Sequence, residues 1–522
     1  MTGQPGQAHP GPMSETDKWR ILGVVMIGTF MAILDNSIVN VALPHMMASF
    51  GTDLEKIKWV ATAYMIAYGV VVLATDFLSK RFGQEKLYLS ALVLFTIGSL
   101  LCAKAWDINS MIIFRAFQAI GGGLMLPTGM TIITQSFKPE ERGSAFGMFG
   151  MVILLAPVLG PTLGGYLVEK INWPSIFLIN IPIGIFGMIF AFTTFTFSPP
   201  GPSRPFDWLG FFSLGTALTT LLLALSQGES WGWNAPPTVA CFSLAALGFF
   251  LFVVADLHFK NPIIDLSLFS NIPFTLLCVM SFLRAVVLFG RTLFLSLFMQ
   301  TIMSYSAMAA GFYLIPGAIV AGLFTPIFGK LSDKVGIKIL AAPGFLLVAW
   351  SCWLYRDLAV NSPYSTIFWP LIIMGIGMAA LSSPMMSAGM NVVNPRQIGM
   401  VSILQTVLMQ LGGAYGINYL ETLVNTRRTY HLQSMMEGLT RSVYNSSGKW
   451  IYHLGGAVSS HNPQMLKQLA ISSYSQKIAS AWAYNDAFVI MTVLSLLCLI
   501  FLFFFKEPAK HSTPSESVVE IG

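Results

Sequence analysis

Charge is what this chain has least of. Only 10% of its 522 residues are Asp, Glu, Lys or Arg, while 55% are hydrophobic, and mean hydropathy is +0.69. So little charge over such a length excludes a soluble domain and leaves a polytopic membrane protein. The five cysteines (Cys102, Cys241, Cys278, Cys352, Cys498) lie inside apolar segments without paired spacing. They read as packing residues rather than disulfides or metal ligands, and no His-rich pattern supplies a metal site either. A phosphate-binding loop is missing too, because GGGLMLP at 121–127 sits inside an apolar run without the Lys-Ser/Thr ending. ATP-driven pumping is therefore not expected, and no nucleophile with a neighbouring base can be read out. The chain is expected not to be an enzyme.

What is present is a succession of apolar runs, each near the roughly 20 residues that a helix needs to cross a bilayer. Fourteen spans are expected near 20–43, 57–78, 86–105, 111–134, 143–168, 175–197, 208–227, 237–257, 274–300, 307–328, 338–356, 366–390, 398–424 and 485–505. The first twenty residues are polar, and the run after them is too long, with no small-residue cleavage site, for a signal peptide. The first span is expected to stay attached. An even count puts both termini on one side, where the segments collect fifteen Lys or Arg residues. The short loops opposite hold five, Lys56, Lys58, Lys104, Lys170 and Arg356. A basic excess marks the cytoplasmic side, so the net charge of +6 reflects topology and gives no hint of nucleic acid. One outer segment, 425–484, is long and polar with helical patterning near 464–482. An ordered cap or docking surface is expected there, with a disordered loop as the alternative.

The few charges inside spans point to the working parts. Asp35 lies mid-run in LDNSIVNVALP (34–44), at a depth where a carboxylate costs roughly 3 kcal/mol and normally faces a bundle interior or a wet cavity. A carboxyl whose exposure changes there can take up and release a proton; an Asp that only pairs with an arginine to fix packing is the alternative. Arg115, with Gln118 one turn on in FRAFQAIGGG (114–123), is the opposite charge expected to hold Asp35 when near and release it when helices shift. Arg284 and Arg291 are seven apart and share a helix face. That face is expected to point into a cavity or toward an acid such as Glu421 or Asp486. One acid with three arginines favours amphipathic anions. Asn36, Trp59, Tyr64, Gln118, Phe289, Phe294 and Gln405 complete the candidate substrate cavity, Met and Phe supplying adaptable apolar contact.

Two loops repeat a pattern: DFLSKRFG at 76–83 and GKLSDKVG at 329–336. Matching motifs in two halves mark a transporter built from duplicated bundles. The second copy resembles the major facilitator loop motif G-x-L-x-D-x-x-G through Gly329, Leu331, Asp333 and Gly336; the first has Asp76 at the Gly position and Lys80 at the Asp position. APVLGPTLGG (156–165) is close to an antiporter motif, with Gly160, Gly164 and Gly165 allowing close helix approach and Pro161 bending the span. FRAFQAIGGG resembles a proton-relay motif of the same superfamily.

These motifs, together with WVATAY (59–64), NPIIDLSLF (261–269) and AYNDAF (483–488), resemble the EmrB/QacA family of the major facilitator superfamily across nearly the whole chain. The resemblance implies an all-α integral membrane protein with 14 transmembrane helices, two six-helix bundles plus two extra central helices. The chain then divides into a cytoplasmic tail 1–19, an N-terminal bundle 20–197, a linker with the extra helices 198–273, a C-terminal bundle 274–505 and a cytoplasmic tail 506–522. It also implies a proton-coupled multidrug antiporter exporting amphipathic, toxic compounds across the bacterial inner membrane, needing no cofactor beyond the proton gradient. A dedicated exporter of an endogenous amphipathic anion, a fatty acid or siderophore-like carboxylate, is the alternative. The partners implied are a hydrophobic small molecule, the lipid bilayer, a periplasmic adaptor (membrane fusion protein) and an outer-membrane channel.

Overall fold

A computed structural model describes residues 15–197, 205–259, 262–445 and 463–505. Most of the two tails, small parts of the linker and the tip of the outer segment, with Trp450, Ile451 and Tyr452, lie outside the described residues. Within them, fourteen helices are long and apolar enough to cross a membrane. The first half comprises α1 (Glu15–Phe50), α2 (Leu54–Phe82), α3 (Gln84–Ala103), α4 (Ile108–Ser136), α5 (Arg142–Lys170), a short α6 (Ser175–Leu178) and α7 (Asn180–Thr194). Two extra helices follow, α8 (Trp208–Trp231) and α9 (Pro236–His258). The second half comprises α10 (Ile272–Thr301), α11 (Ala307–Val335), α12 (Ile337–Leu354), α13 (Ser365–Asn391), α14 (Ile398–Asn445) and α15 (Pro463–Phe504).

Local chemistry explains where these helices start and stop. Asp53, Asp107 and Ser306 cap α2, α4 and α11, their side chains accepting from the N–H groups of Lys56, Ser110 and Ala309. The two repeated loops share one turn. Gly83 and Gly336 lie at φ 91° and 85°, and their N–H groups bond the carbonyls of Ser79 and Ser332. Only glycine adopts that region without a Cβ penalty, so Gly336→Ala is expected to lower stability by about 1–2 kcal/mol, read as the unfolding midpoint of the purified protein.

One element differs from the sequence expectation and another carries a local interruption. The sixth span runs Ser175–Thr194, and Ile179 keeps helical dihedrals, but one helical hydrogen bond is missing there because Pro182 has no N–H for the Leu178 carbonyl four residues back. The outer segment is largely a helical hairpin, since α14 continues past 424 to Asn445 and α15 begins at Pro463, well before 485. Asp486 on α15 holds this hairpin, accepting from His431 at 2.8 Å and pairing with Arg427 at 3.4 Å. His431 also packs edge-on against Trp482. Asp486 therefore neutralises a surface arginine and is no partner for the deep ones.

The extra pair α8 and α9 packs closely, Gly248 lying against the Ser213 carbonyl and the Ala217 backbone. It spans the two halves along one flank. Ser226 of α8 hydrogen-bonds Thr62 of α2 at 3.3 Å, and Glu229 of α8 accepts from Asn425 of α14.

Candidate functional site

Each residue of the LDNSIVN stretch meets a different neighbour. Asp35 points into the first half, fully buried. Its carboxylate accepts from Arg115 Nη1 at 2.5 Å, Gln118 Nε2 at 3.0 Å and Asn180 Nδ2 at 2.9 Å. Gln118 and Asn180 also donate to the Ser99 hydroxyl, at 2.7 and 3.3 Å, and Arg115 donates to Gln118 Oε1 at 2.6 Å. The guanidinium lies 4.2 Å from the centre of the Tyr64 ring, a cation over an aromatic face. Helices α1, α3, α4 and α7 thus meet at one carboxylate. Two side-chain amides and a guanidinium converge on this one carboxylate.

Asn180 stands at the first turn of α7, its side chain donating to Asp35. Asn180 and Ser99 escape a sequence reading, because an uncharged polar residue in an apolar run is commonplace. Gln118 and Tyr64 need correcting: both are expected on the substrate cavity, and both are instead sealed beside Asp35, at 0% and 2% exposure. Gln118 is taken up by Arg115, Asp35 and Ser99, and the Tyr64 ring lies against the Arg115 guanidinium.

The next residue, Asn36, faces the other way. It is exposed, as is Asn40 one turn on. Exposed asparagines at membrane depth cannot face lipid without losing hydrogen bonds, so they mark a water-filled cleft between the halves. Ser37 donates to the Pro157 carbonyl at 2.7 Å. That carbonyl is the one deprived of its helical partner, because Pro161 lacks an N–H. Ser37 packs where Gly160, and Ile38 where Gly164, leaves no room for a Cβ, whereas Gly165 meets only Met308 of α11. The Gly-Pro stretch of α5 is thereby the seat of α1.

In the second half, Arg284 and Arg291 line two cavities stacked along α10. The first, of about 30 Å³, lies between Arg284, Gln405, Met385, Met386 and Met409 and the first-half residues Leu126, Met130 and Ile153. The second, of about 60 Å³, is lined by Arg291, Phe289, Thr292, Met374 and Met378, with Pro157 and Val158 opposite. Both arginines are more than nine-tenths buried, yet among the described residues neither forms an ion pair. Phe294 packs instead in the second-half core, and Trp59 is half-buried. A wider groove of about 430 Å³ between α8, α9, α10 and α14 is lined by Trp233, Phe282, Tyr415 and Tyr419 and holds none of the candidates.

Hydrogen bonds between the halves gather, among the described residues, toward the side that carries the termini. Asp333 accepts from the N–H groups of Gly143 and Ser144 at 2.8 and 2.9 Å, at the start of α5, where the helix end favours a carboxylate. Ser383 donates to the Gly143 carbonyl, Arg142 to Asn391, and Thr131 lies 3.0 Å from Ser402. Gly329 comes so close that a Cβ would sit 2.3 Å from the Gly143 carbonyl. In the first half Lys80, standing at the Asp position of the motif, pairs with Asp76 at 2.6 Å. The molecule is closed on the terminal side and opens opposite. Asp333→Ala removes two charge-assisted bonds, each of about 1.5–3 kcal/mol. A cysteine at Ser402 in that variant is expected to react with a membrane-impermeant maleimide roughly tenfold faster from the terminal side; an unchanged rate would deny Asp333 its latching role.

The comparisons agree with this architecture. A Major Facilitator Superfamily model matches residues 25–417. The "Multidrug export protein EmrB" of Escherichia coli (strain K12) is 26% identical over 92% of this chain and 94% of its own length. The "Fatty acid resistance protein FarB" of Neisseria gonorrhoeae is 30% identical over 79% and 82%. In fold, the chain superposes on the proton:xylose symporter XylE with a TM-score of 0.59 at 15% identity, covering 95% of this chain and 97% of that one. With fourteen membrane-length helices in two bundles about a cleft, this chain belongs to the Major Facilitator Superfamily, as an EmrB-like transporter.

Proposed function

We propose that this transporter is a proton-coupled antiporter that exports amphipathic, toxic compounds across the bacterial inner membrane by alternating access. The observation that carries the reading is the buried Asp35–Arg115 pair at 2.5 Å, backed by the name and likeness of EmrB. Asp35 is the proton carrier. Its neighbour in sequence, Asn36, looks into the cleft, so a proton that releases Arg115 frees the same helix that lines the substrate path. The basic excess on the terminal side argues that both termini are cytoplasmic, and the closed face then points to the cytoplasm with the cleft open outward. A periplasmic adaptor seats on the α14–α15 hairpin and hands cargo to an outer-membrane channel. No cofactor is needed beyond the proton gradient.

The test is transport in everted membrane vesicles energised by a proton gradient, with a lipophilic cation and a medium-chain fatty acid as cargo. Cargo-induced proton release in native vesicles, absent in Asp35→Asn, supports the reading. Equal release in both would remove Asp35 from the mechanism. A second reading, a dedicated exporter of an endogenous amphipathic anion, is favoured by the two arginines without ion pairs and by the fatty acid in the name of FarB.

A further inference from the structure

We infer that the second half holds a binding site for the carboxylate head of an amphipathic substrate, built on Arg291 and Arg284 as two stations along α10. The inference rests on the export reading above and gives it a substrate class. Asp35 and Arg291 stand about twenty residues into α1 and α10, the first helices of the two duplicated bundles. In the first half that depth holds a carboxylate with its arginine. In the second half it holds an arginine and, among the described residues, no carboxylate: Arg291 faces the Tyr355 hydroxyl, while its Nε and Nη1 find no acceptor among those residues. A substrate carboxylate supplies the group that the chain does not, its oxygens accepting from the guanidinium.

Arg284 repeats the situation on the other level. Seven residues at 1.5 Å each put it about 10 Å nearer the terminal side, in the cavity where both halves meet, and its Nε is also without an acceptor. Gln405 shares that cavity. Because its walls include Leu126, Met130 and Ile153 of the first half, this station opens when the halves part on the terminal side. Arg291 is the station nearer the opposite opening. At about 30 and 60 Å³ the cavities admit a head group as they stand; the methionines around Arg284 and the Phe289, Met374 and Met378 surfaces around Arg291 give adaptable apolar walls to an aliphatic chain when the halves move apart, so the ligand is a monoanionic amphiphile with a carboxylate at one end. Passing the head from Arg284 to Arg291 carries it toward the open side.

The experiment compares three ligands with the same twelve-carbon chain, dodecanoate, dodecanol and dodecyltrimethylammonium, as competitors for radiolabelled dodecanoate on the purified full chain in micelles, at about pH 8 where a carboxyl is ionised. The native protein is expected to prefer dodecanoate to both others by roughly tenfold or more, the worth of one charge-assisted hydrogen bond. Arg291→Gln and Arg284→Gln are each expected to erase most of that preference, with Arg291→Lys and Arg284→Lys recovering part of it. Unchanged unfolding midpoints certify the fold, and the Lys variants decide the matter if a Gln variant does not fold. Equal competition by the alcohol or the cation in the native protein, or full preference in both Gln variants, overturns the inference. Asp35→Asn separates it from the export reading: dodecanoate preference retained in a variant that has also kept proton-driven transport counts against proton coupling through Asp35 and not against the anion site.

Discussion

Proton-driven transport falls to the level of membranes without the protein in Asp35→Asn. An amide has nearly the shape of the carboxylate and can still accept from Gln118 or Asn180, but it cannot carry a proton between the two faces of the membrane. The loss is therefore expected to be of coupling rather than of folding. The measurement is cargo-induced proton release in energised everted vesicles, with Asp35→Glu as the control that keeps a titrating group. The alternative role, a carboxylate that only fixes packing, predicts the opposite: Asp35→Asn would then keep its transport in proportion to the amount of folded protein. On the proposal that Asp35 carries the proton, its complete burial in the closed network ties proton exchange to a shift of α1 against α4.

Arg115→Leu is expected to be the most destabilising single change in the chain. Arg115 is among the largest fully buried side chains, and removing it strands the Asp35 carboxylate with two amides and no countercharge. Breaking a buried pair from one side costs about 3–5 kcal/mol, whereas replacing both charges at once is often close to neutral. The double variant Asp35→Asn/Arg115→Leu should consequently unfold at a higher temperature than Arg115→Leu alone, although it carries more substitutions. Thermal unfolding of the native protein, the two single variants and the double variant in one detergent closes the cycle. Additive losses would mean that the two charges do not stabilise each other. Both single variants also leave polar groups of Gln118, Asn180 and Ser99 short of partners, which is why the whole network behaves as a unit.

Residues whose placement is costly were the ones legible in advance. A carboxylate and three arginines at membrane depth have few tolerable positions, so Asp35 and Arg115 could be singled out without a structure. Glycines at close helix contacts, such as Gly160 beside Ser37 or Gly329 beside Gly143, announced themselves through motif spacing. Asn180 and Ser99 did not, because small uncharged polar residues occur throughout apolar helices. Gln118 and Tyr64 carried the right chemistry for a cavity but were taken up by Arg115 instead. Glu421 and Asp486 looked able to neutralise Arg284 and Arg291, and only the course of α14 and α15 shows Asp486 held by Arg427 and His431.

By itself the sequence determined the spans, their number and the duplicated loops, since a helix crossing a bilayer must be about 20 apolar residues long and must satisfy its own backbone. It also singled out a carboxylate and an arginine at membrane depth in the first bundle. Tertiary structure alone decided which face of each helix meets which neighbour: that Asp35 turns inward while Asn36 turns to the cleft, that Asn180 of α7 reaches the carboxylate, and that the arginines of α10 pair with no acid among the described residues. The reason is geometric. Charge and hydropathy are properties of residues and survive in the linear chain, whereas a hydrogen bond between α1 and α7 depends on a distance of a few ångström across 145 positions of chain, which no local pattern records.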